Sequence, residues 1–254
     1  MLLSFAFSAS AASNIIYIIT PSTSNTFFGT EQIVGAAKAK ALGYEPKCFS
    51  HNDDAAAQLQ LFEVAISDGA VAIICDNAGA DASIEAVRKA VDAKIPVLLI
   101  DREINESGLA LAQIVADNVQ GAAVIAEKWV EAMGYAGECA ELLGLESDTN
   151  CWVRSQNYHA VIDEYPDFKM VAQQSANWSQ TEAYEKTEAI LQAHPEVKGI
   201  ICGNDTMACG ATQACIDAYI KNGTKPATEK QLVPCIAITS ENVANLSGFV
   251  YKEN

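Results

Sequence analysis

The sequence predicts an α/β protein built as two doubly wound parallel-sheet lobes joined by a hinge. Three observations lead there. Short apolar runs rich in β-branched residues alternate with segments of helical period, the pattern of parallel sheets covered on both faces. The alternation runs to residue 101, stops at a polar stretch, and then restarts. The chain has 254 residues, of which 50% are hydrophobic and 19% charged, enough apolar surface for two cores.

Taken in order, residues 14–20 (NIIYIIT) read as a strand buried on both faces. Residues 27–43 have helical spacing and stop at Gly43, which suits a C-cap. Residues 45–50 form a short strand, and 54–68 a helix with Leu59, Phe62 and Ile66 on one face. Strand 70–75, helix 82–93 and strand 96–101 complete the first series, with right-handed crossovers expected between parallel strands. Residues 103–108 (EINESG) are polar and without period, and 109–117 are extended. Alternation resumes with helix 118–133, strand 138–143, helix 150–164, strand 168–174, helix 181–193, strand 197–203, helix 205–221 and strand 233–239. The expected division is therefore a first lobe over 14–103 and a second over 104–240, with extended crossings acting as a hinge. Residues 241–254 read as the start of a return through the hinge or as an aberrant tail.

Composition excludes several classes of partner. The net charge of −16 repels phosphate backbones and anionic lipid, so nucleic acid is not an expected partner. No apolar run reaches the ~20 residues of a membrane-spanning helix. Residues 1–13 begin apolar (Leu2, Leu3, Phe5, Phe7) and end small, with Ala9 and Ala11 at the spacing that closes a signal peptide. They lack a basic start, so they read as a signal-peptide remnant of an exported protein, or else as a loose start to a cytosolic one. None of the eight cysteines forms C-x-x-C, which removes zinc ribbons and thioredoxin-like motifs. Cys75 and Cys202 close apolar runs, and Cys209 and Cys215 sit among alanines, so buried thiols are expected before a disulfide framework.

In open α/β sheets, ligands bind beyond the carboxyl ends of the strands. The residues there are Asn25, Phe27 and Phe28 after the first strand, Asp101 and Arg102 after the fourth, and Asn204 and Asp205 after Ile200-Ile201-Cys202-Gly203. Arg154 lies near the start of a second-lobe helix, and Asn177-Trp178 follow Gln174. A carboxylate and an amide can each engage neighbouring hydroxyls, arginine offers a rigid fork of donors, and aromatic faces cover the C–H surface of a sugar. The set holds no nucleophile–base pair, so no catalytic residue, metal or cofactor is expected. Structural readings stand beside these. Asp101 and Arg102 also read as a surface ion pair, Asn204 as a helix cap, and one of Phe27 and Phe28 as core. Trp178 and Arg154 read equally as surface residues. Asp205 reads as a cap rather than a contact. His51-Asn52-Asp53-Asp54 has the look of a metal cluster, but reads better as a loop with a helix N-cap.

At these residues the chain resembles the ribose-type periplasmic binding proteins, the sugar-binding components of ABC importers, from about residue 15 to 239. The stretches that carry the resemblance are Asn25-Thr26-Phe27-Phe28, Ile100-Asp101-Arg102, Ala116-Asp117-Asn118, Ala176-Asn177-Trp178 and Gly203-Asn204-Asp205-Thr206-Met207-Ala208. The resemblance implies that Asn25, one or both of Phe27 and Phe28, Asp101, Arg102, Arg154, Trp178 and Asn204 contact the ligand. It also implies a periplasmic monomer with a small sugar or polyol as ligand, an ABC permease as partner and a chemoreceptor as a further one. Residues 143–150 and 173–180 resemble the branch that binds small polyols such as erythritol or threitol.

Pro21 stands where a polar pocket residue is common in the family, and Cys151 and Trp152 where residues are usually small. Ala237-Ile238-Thr239-Ser240 replaces a motif that supplies a ligand-binding Asp, and the first lobe is expected to lack its returning C-terminal segment. The expected mechanism is capture by hinge closure, with ligand shifting an open–closed equilibrium. A sugar-sensing effector domain of a transcriptional repressor shares this fold and is the alternative. An enzyme would need a glycine-rich phosphate loop or a catalytic constellation, and neither is present.

Overall fold

A computed structural model describes residues 13–222, 246–247 and 250–251. The first lobe is a five-stranded parallel sheet in the order β2-β1-β3-β4-β5. Its elements are β1 (Ile15–Thr20), α1 (Thr26–Ala41), β2 (Glu45–Ser50), α2 (Ala55–Ser67), β3 (Ala72–Cys75), α3 (Ile84–Asp92), β4 (Val97–Ile100) and β5 (Ala112–Ile114). The second lobe contains α4 (Asn118–Ala132), β6 (Gly137–Leu143), α5 (Thr149–Ile162), β7 (Phe168–Ser175), α6 (Gln180–Ala193), β8 (Gly199–Cys202) and α7 (Asp205–Asn222). Its described strands are parallel in the order β7-β6-β8. Two short strands, β9 (Leu246–Ser247) and β10 (Val250–Tyr251), pair antiparallel. The expected strand 233–239, residues 1–12 and most of 241–254 lie outside the described residues.

The doubly wound α/β architecture matches the sequence reading, and local chemistry explains the element ends. Six helices start from a side chain that accepts a backbone N–H in the first turn: Asn25, Asp54, Asp117, Asp148, Ser179 and Asn204. Such caps satisfy donors that the helix itself leaves free. After α1 the chain turns at Gly43, whose φ of +87° suits a residue without Cβ. Tyr17, Ile19, Phe62, Ile73, Val97 and Leu99 form the first-lobe core, and Leu142, Ile190 and Met207 part of the second. Each such fully buried side chain contributes about 1.5–3 kcal/mol of transfer free energy.

One boundary differs from expectation. The first lobe does not end at residue 103. Ile104 is buried in its core, Leu109 packs against it, and β5 hydrogen-bonds to β4. The polar stretch 103–108 is tied back through Asn105 N to Ala80 O (3.1 Å) and through the Arg88–Glu106 ion pair. A polar, aperiodic stretch looks like a crossing in sequence, but the apolar residues on either side return it to the sheet. The chain leaves the first sheet only at residues 115–117.

Candidate ligand-binding site

The carboxyl ends of both sheets face one another, and all eight expected residues line one cavity of about 250 Å³ between the lobes. Asn25, Phe27, Phe28, Asp101 and Arg102 come from the first lobe, and Arg154, Trp178 and Asn204 from the second. Asn118, Asp148, Asn150, Tyr158 and Thr206 also line it. A larger, open cleft of about 950 Å³ adjoins it and shares Asn25, Phe28, Trp178 and Thr206 as walls.

Each lobe contributes a guanidinium stacked on an aromatic ring. Arg102 lies 5.1 Å from the centre of Phe28, and Arg154 lies 5.4 Å from Trp178. Phe28 is buried, while Phe27 remains 41% exposed and meets it edge-on. The core-or-contact alternative thus divides between neighbours in one helix turn, although both reach the cavity.

Arg102 is 1% exposed, so it is no surface ion pair. Its Nη1 donates to Asp53 Oδ1 at 2.7 Å and to Asn77 O at 3.0 Å. Its Nε lies 3.0 Å from Asp148 Oδ2 and 3.3 Å from Asp76 Oδ1. Its Nη2 is buried with no hydrogen-bond partner among the described residues, a donor suited to a ligand oxygen. Arg154 is held just as deliberately. Its Nε donates to Asn118 Oδ1 and its Nη1 to Gly203 O, both at 2.8 Å.

Backbone geometry at the site is unusual. Asp101, Asn177 and Trp178 all have positive φ, at 58°, 50° and 61°. This region is disfavoured for residues with side chains, at about 1–3 kcal/mol each, and gathers at functional sites. Glycines make room for the result. A Cβ on Gly144 would fall inside the Trp178 indole, and one on Gly203 would lie 2.8 Å from its Cζ3. Trp178 Nε1 then donates to Asp148 Oδ2 at 3.1 Å.

Two expected roles change. Asn204 caps α7, accepting from Met207 N at 2.8 Å, and Asp205 is the first helical residue instead of the cap. Asn25 likewise caps α1 through Phe27 N. Both amide oxygens are thereby engaged, which leaves the Nδ2 donors for the cavity. Asp54 caps α2, as the structural reading of the 51–54 loop expected. His51 is buried and bridges Asp53 N and Asp76 O, and burial lowers its pKa. Among the described residues no group of three or more His, Cys, Asp or Glu side chains is arranged to hold a metal ion.

Three carboxylates not expected at the site, Glu31, Asp76 and Asp148, join Asp101 around Arg102. Burial raises Asp101 and Asp148, against the opposing pull of Arg154 and Arg102, and raises Asp76 well above the carboxylate range. Glu31 is pushed up to about 8 by burial and then by the Asp101 charge. Glu31 Oε2 and both Asp76 oxygens are buried and accept no hydrogen bond among the described residues. Asp76 follows β3 as Asp101 follows β4, so the same strand-end rule identifies it. Glu31 falls three residues after Phe28, on the same helix face.

Cys48, Cys75, Cys139, Cys151, Cys209 and Cys215 carry free thiols. Cys75 and Cys202 are buried as expected, whereas Cys209 is exposed and Cys215 half-buried; Cys139 and Cys151 are buried too. Trp152 fits its position by turning outward to Glu146 O.

A family model described as periplasmic binding protein domain matches residues 16–243. The D-apiose import binding protein of Actinobacillus succinogenes is 45% identical, with 94% of this chain and 92% of the relative covered. That alignment is longer than the chain itself, so it passes over positions where the relative has residues and this chain has none. The ribose import binding protein of Salmonella typhimurium is 27% identical over 80% of this chain and 68% of its own length. Among solved structures, an ABC transporter periplasmic solute-binding protein from Actinobacillus succinogenes with bound D-allose superposes with a TM-score of 0.75 at 30% identity, covering 87% of this chain and 77% of that one. These relatives are import proteins, and they lend the repressor reading no support. The chain belongs to the periplasmic binding protein domain family, among the solute-binding proteins of ABC sugar importers.

Proposed function

We propose that this protein captures a small furanose sugar, D-apiose or a close relative, between its lobes and delivers it to an ABC permease. The carrying observation is the pair of guanidinium–aromatic stacks, one from each lobe, facing a single cavity of about 250 Å³. That volume is below the ~300–1,000 Å³ of drug-sized pockets. D-Apiose is a branched five-carbon aldose whose ring and hydroxyls suit such a space. The aromatic faces cover its C–H surface, and Arg102 Nη2, Arg154 and the two capping asparagines direct donors at its oxygens. The 45% identity to a protein named for D-apiose import supports the choice.

The protein acts as a binding component without catalysis, as a periplasmic monomer. The permease and a chemoreceptor recognise its closed form. A four-carbon polyol is the second reading, on the resemblance of residues 143–150 and 173–180 to the polyol-binding branch. A thermal-shift panel of D-apiose, D-ribose, D-allose and erythritol separates the two. The largest shift with D-apiose supports the first reading, the largest with erythritol the second, and no shift with any of them overturns both.

A further inference from the structure

The N-terminus of α5 is docked directly onto the first lobe. Asp148 Oδ2 lies 3.0 Å from Arg102 Nε, Asn150 Nδ2 donates to Asp101 O at 3.1 Å, and Ala80 N donates to Ser147 O at 2.9 Å. Three successive polar contacts from one turn of chain thus bridge the lobes. Both members of the central ion pair are buried.

The partners of that pair are divided by lobe. Asp148 is fixed within the second lobe, where Oδ1 accepts from Asn150 N at 2.9 Å and Oδ2 from Trp178 Nε1 at 3.1 Å. Arg102 is fixed within the first by Asp53, Asp76 and Asn77 O. Opening the cleft therefore leaves neither group without a partner, and each regains water. Breaking a buried pair by deleting one partner costs about 3–5 kcal/mol because the other charge is stranded. Separating this one strands nothing, so it is suited to a reversible bias between two states.

We propose that residues 147–150 form an interlobe clasp that draws the lobes together before ligand arrives, with Asp148 as its positioning residue. The clasp rests on the two-lobed capture reading for its purpose but not for its geometry. It sets how far the empty protein closes and so how slowly captured ligand escapes. Because Asp148 also lines the cavity, the decisive readout is made without ligand.

The test is the interlobe distance of the ligand-free protein, measured by single-molecule energy transfer between dyes on the two lobes. It compares the native chain with Asp148→Asn and Asn150→Ala, each first shown to retain native circular dichroism. The second variant keeps the proposal testable if the first does not fold. The expected result is a closed population in the native protein that shrinks in both variants. D-Apiose dissociation should also be about tenfold faster or more, the equivalent of roughly 1.4 kcal/mol. Identical distance distributions in the native and variant proteins overturn the clasp. A protein that binds no sugar from the panel but loses its closed population on substitution contradicts the proposed ligand and leaves the clasp supported.

Discussion

The guanidinium of Arg154 lies 5.4 Å from the centre of the Trp178 ring, and the two glycines that flank that ring leave no space for another carbon. The indole is thus held in a slot between Gly144 and Gly203, with its N–H fixed by Asp148. Gly144→Ala should displace Trp178, cost about 1–3 kcal/mol through overpacking, and weaken sugar binding. Urea denaturation and a binding titration on the same variant check both parts.

Arg102 lies between the buried Asp76 and Asp148 carboxyl groups, and its fork geometry cannot be reproduced by an ammonium. Arg102→Lys should keep the charge but lose the Nη1 contacts to Asp53 and Asn77 O. The expected loss is about 1–3 kcal/mol of stability, read as a lower urea midpoint with an unchanged slope.

The Glu31 carboxyl, held near 8 against an ordinary 4.5, binds its proton more tightly folded than unfolded. Its contribution to stability is therefore full below about pH 4.5 and is lost as the pH rises toward about 8. Glu31→Gln mimics the protonated group and should flatten this part of the profile. Melting temperatures at about pH 5 and about pH 8 test it: the native protein should lose more between them than the variant does.

Asn204 combines a helix cap with a place in the cavity wall. Asn204→Ala should cost about 1 kcal/mol of stability from the cap alone. Asn204→Asp preserves the cap acceptor but removes the Nδ2 donor, so it should retain most of the stability while weakening the sugar. Parallel melting and binding measurements on the two variants separate these roles.

The fold was legible because apolar strands and capped helices announce themselves locally. Residues 45–50 and the Asp54 cap needed nothing but neighbouring sequence. The lobe boundary was not legible, since the burial of Ile104 depends on a core assembled from distant strands. The site separated in the same way. Asp101 and Arg102 stand directly after an apolar run, so strand-end reasoning reaches them. Asp53 and Asp148 become site residues only because folding brings Arg102 between them, 49 residues from one and on the other lobe from its second partner. Asp148 caps α5 within its own lobe, but its bond to another lobe has no signal in its own neighbourhood.

The most direct test of the central claim is isothermal titration of D-apiose into the native protein and into Arg154→Ala. Arg154 belongs to the second lobe and lines the cavity. Saturable one-to-one binding is expected in the native protein. In the variant it should weaken by about tenfold or more, a loss of roughly 1.4 kcal/mol or greater. Equal affinity in the two proteins would contradict the assigned site, and absence of heat in both would contradict the assigned ligand.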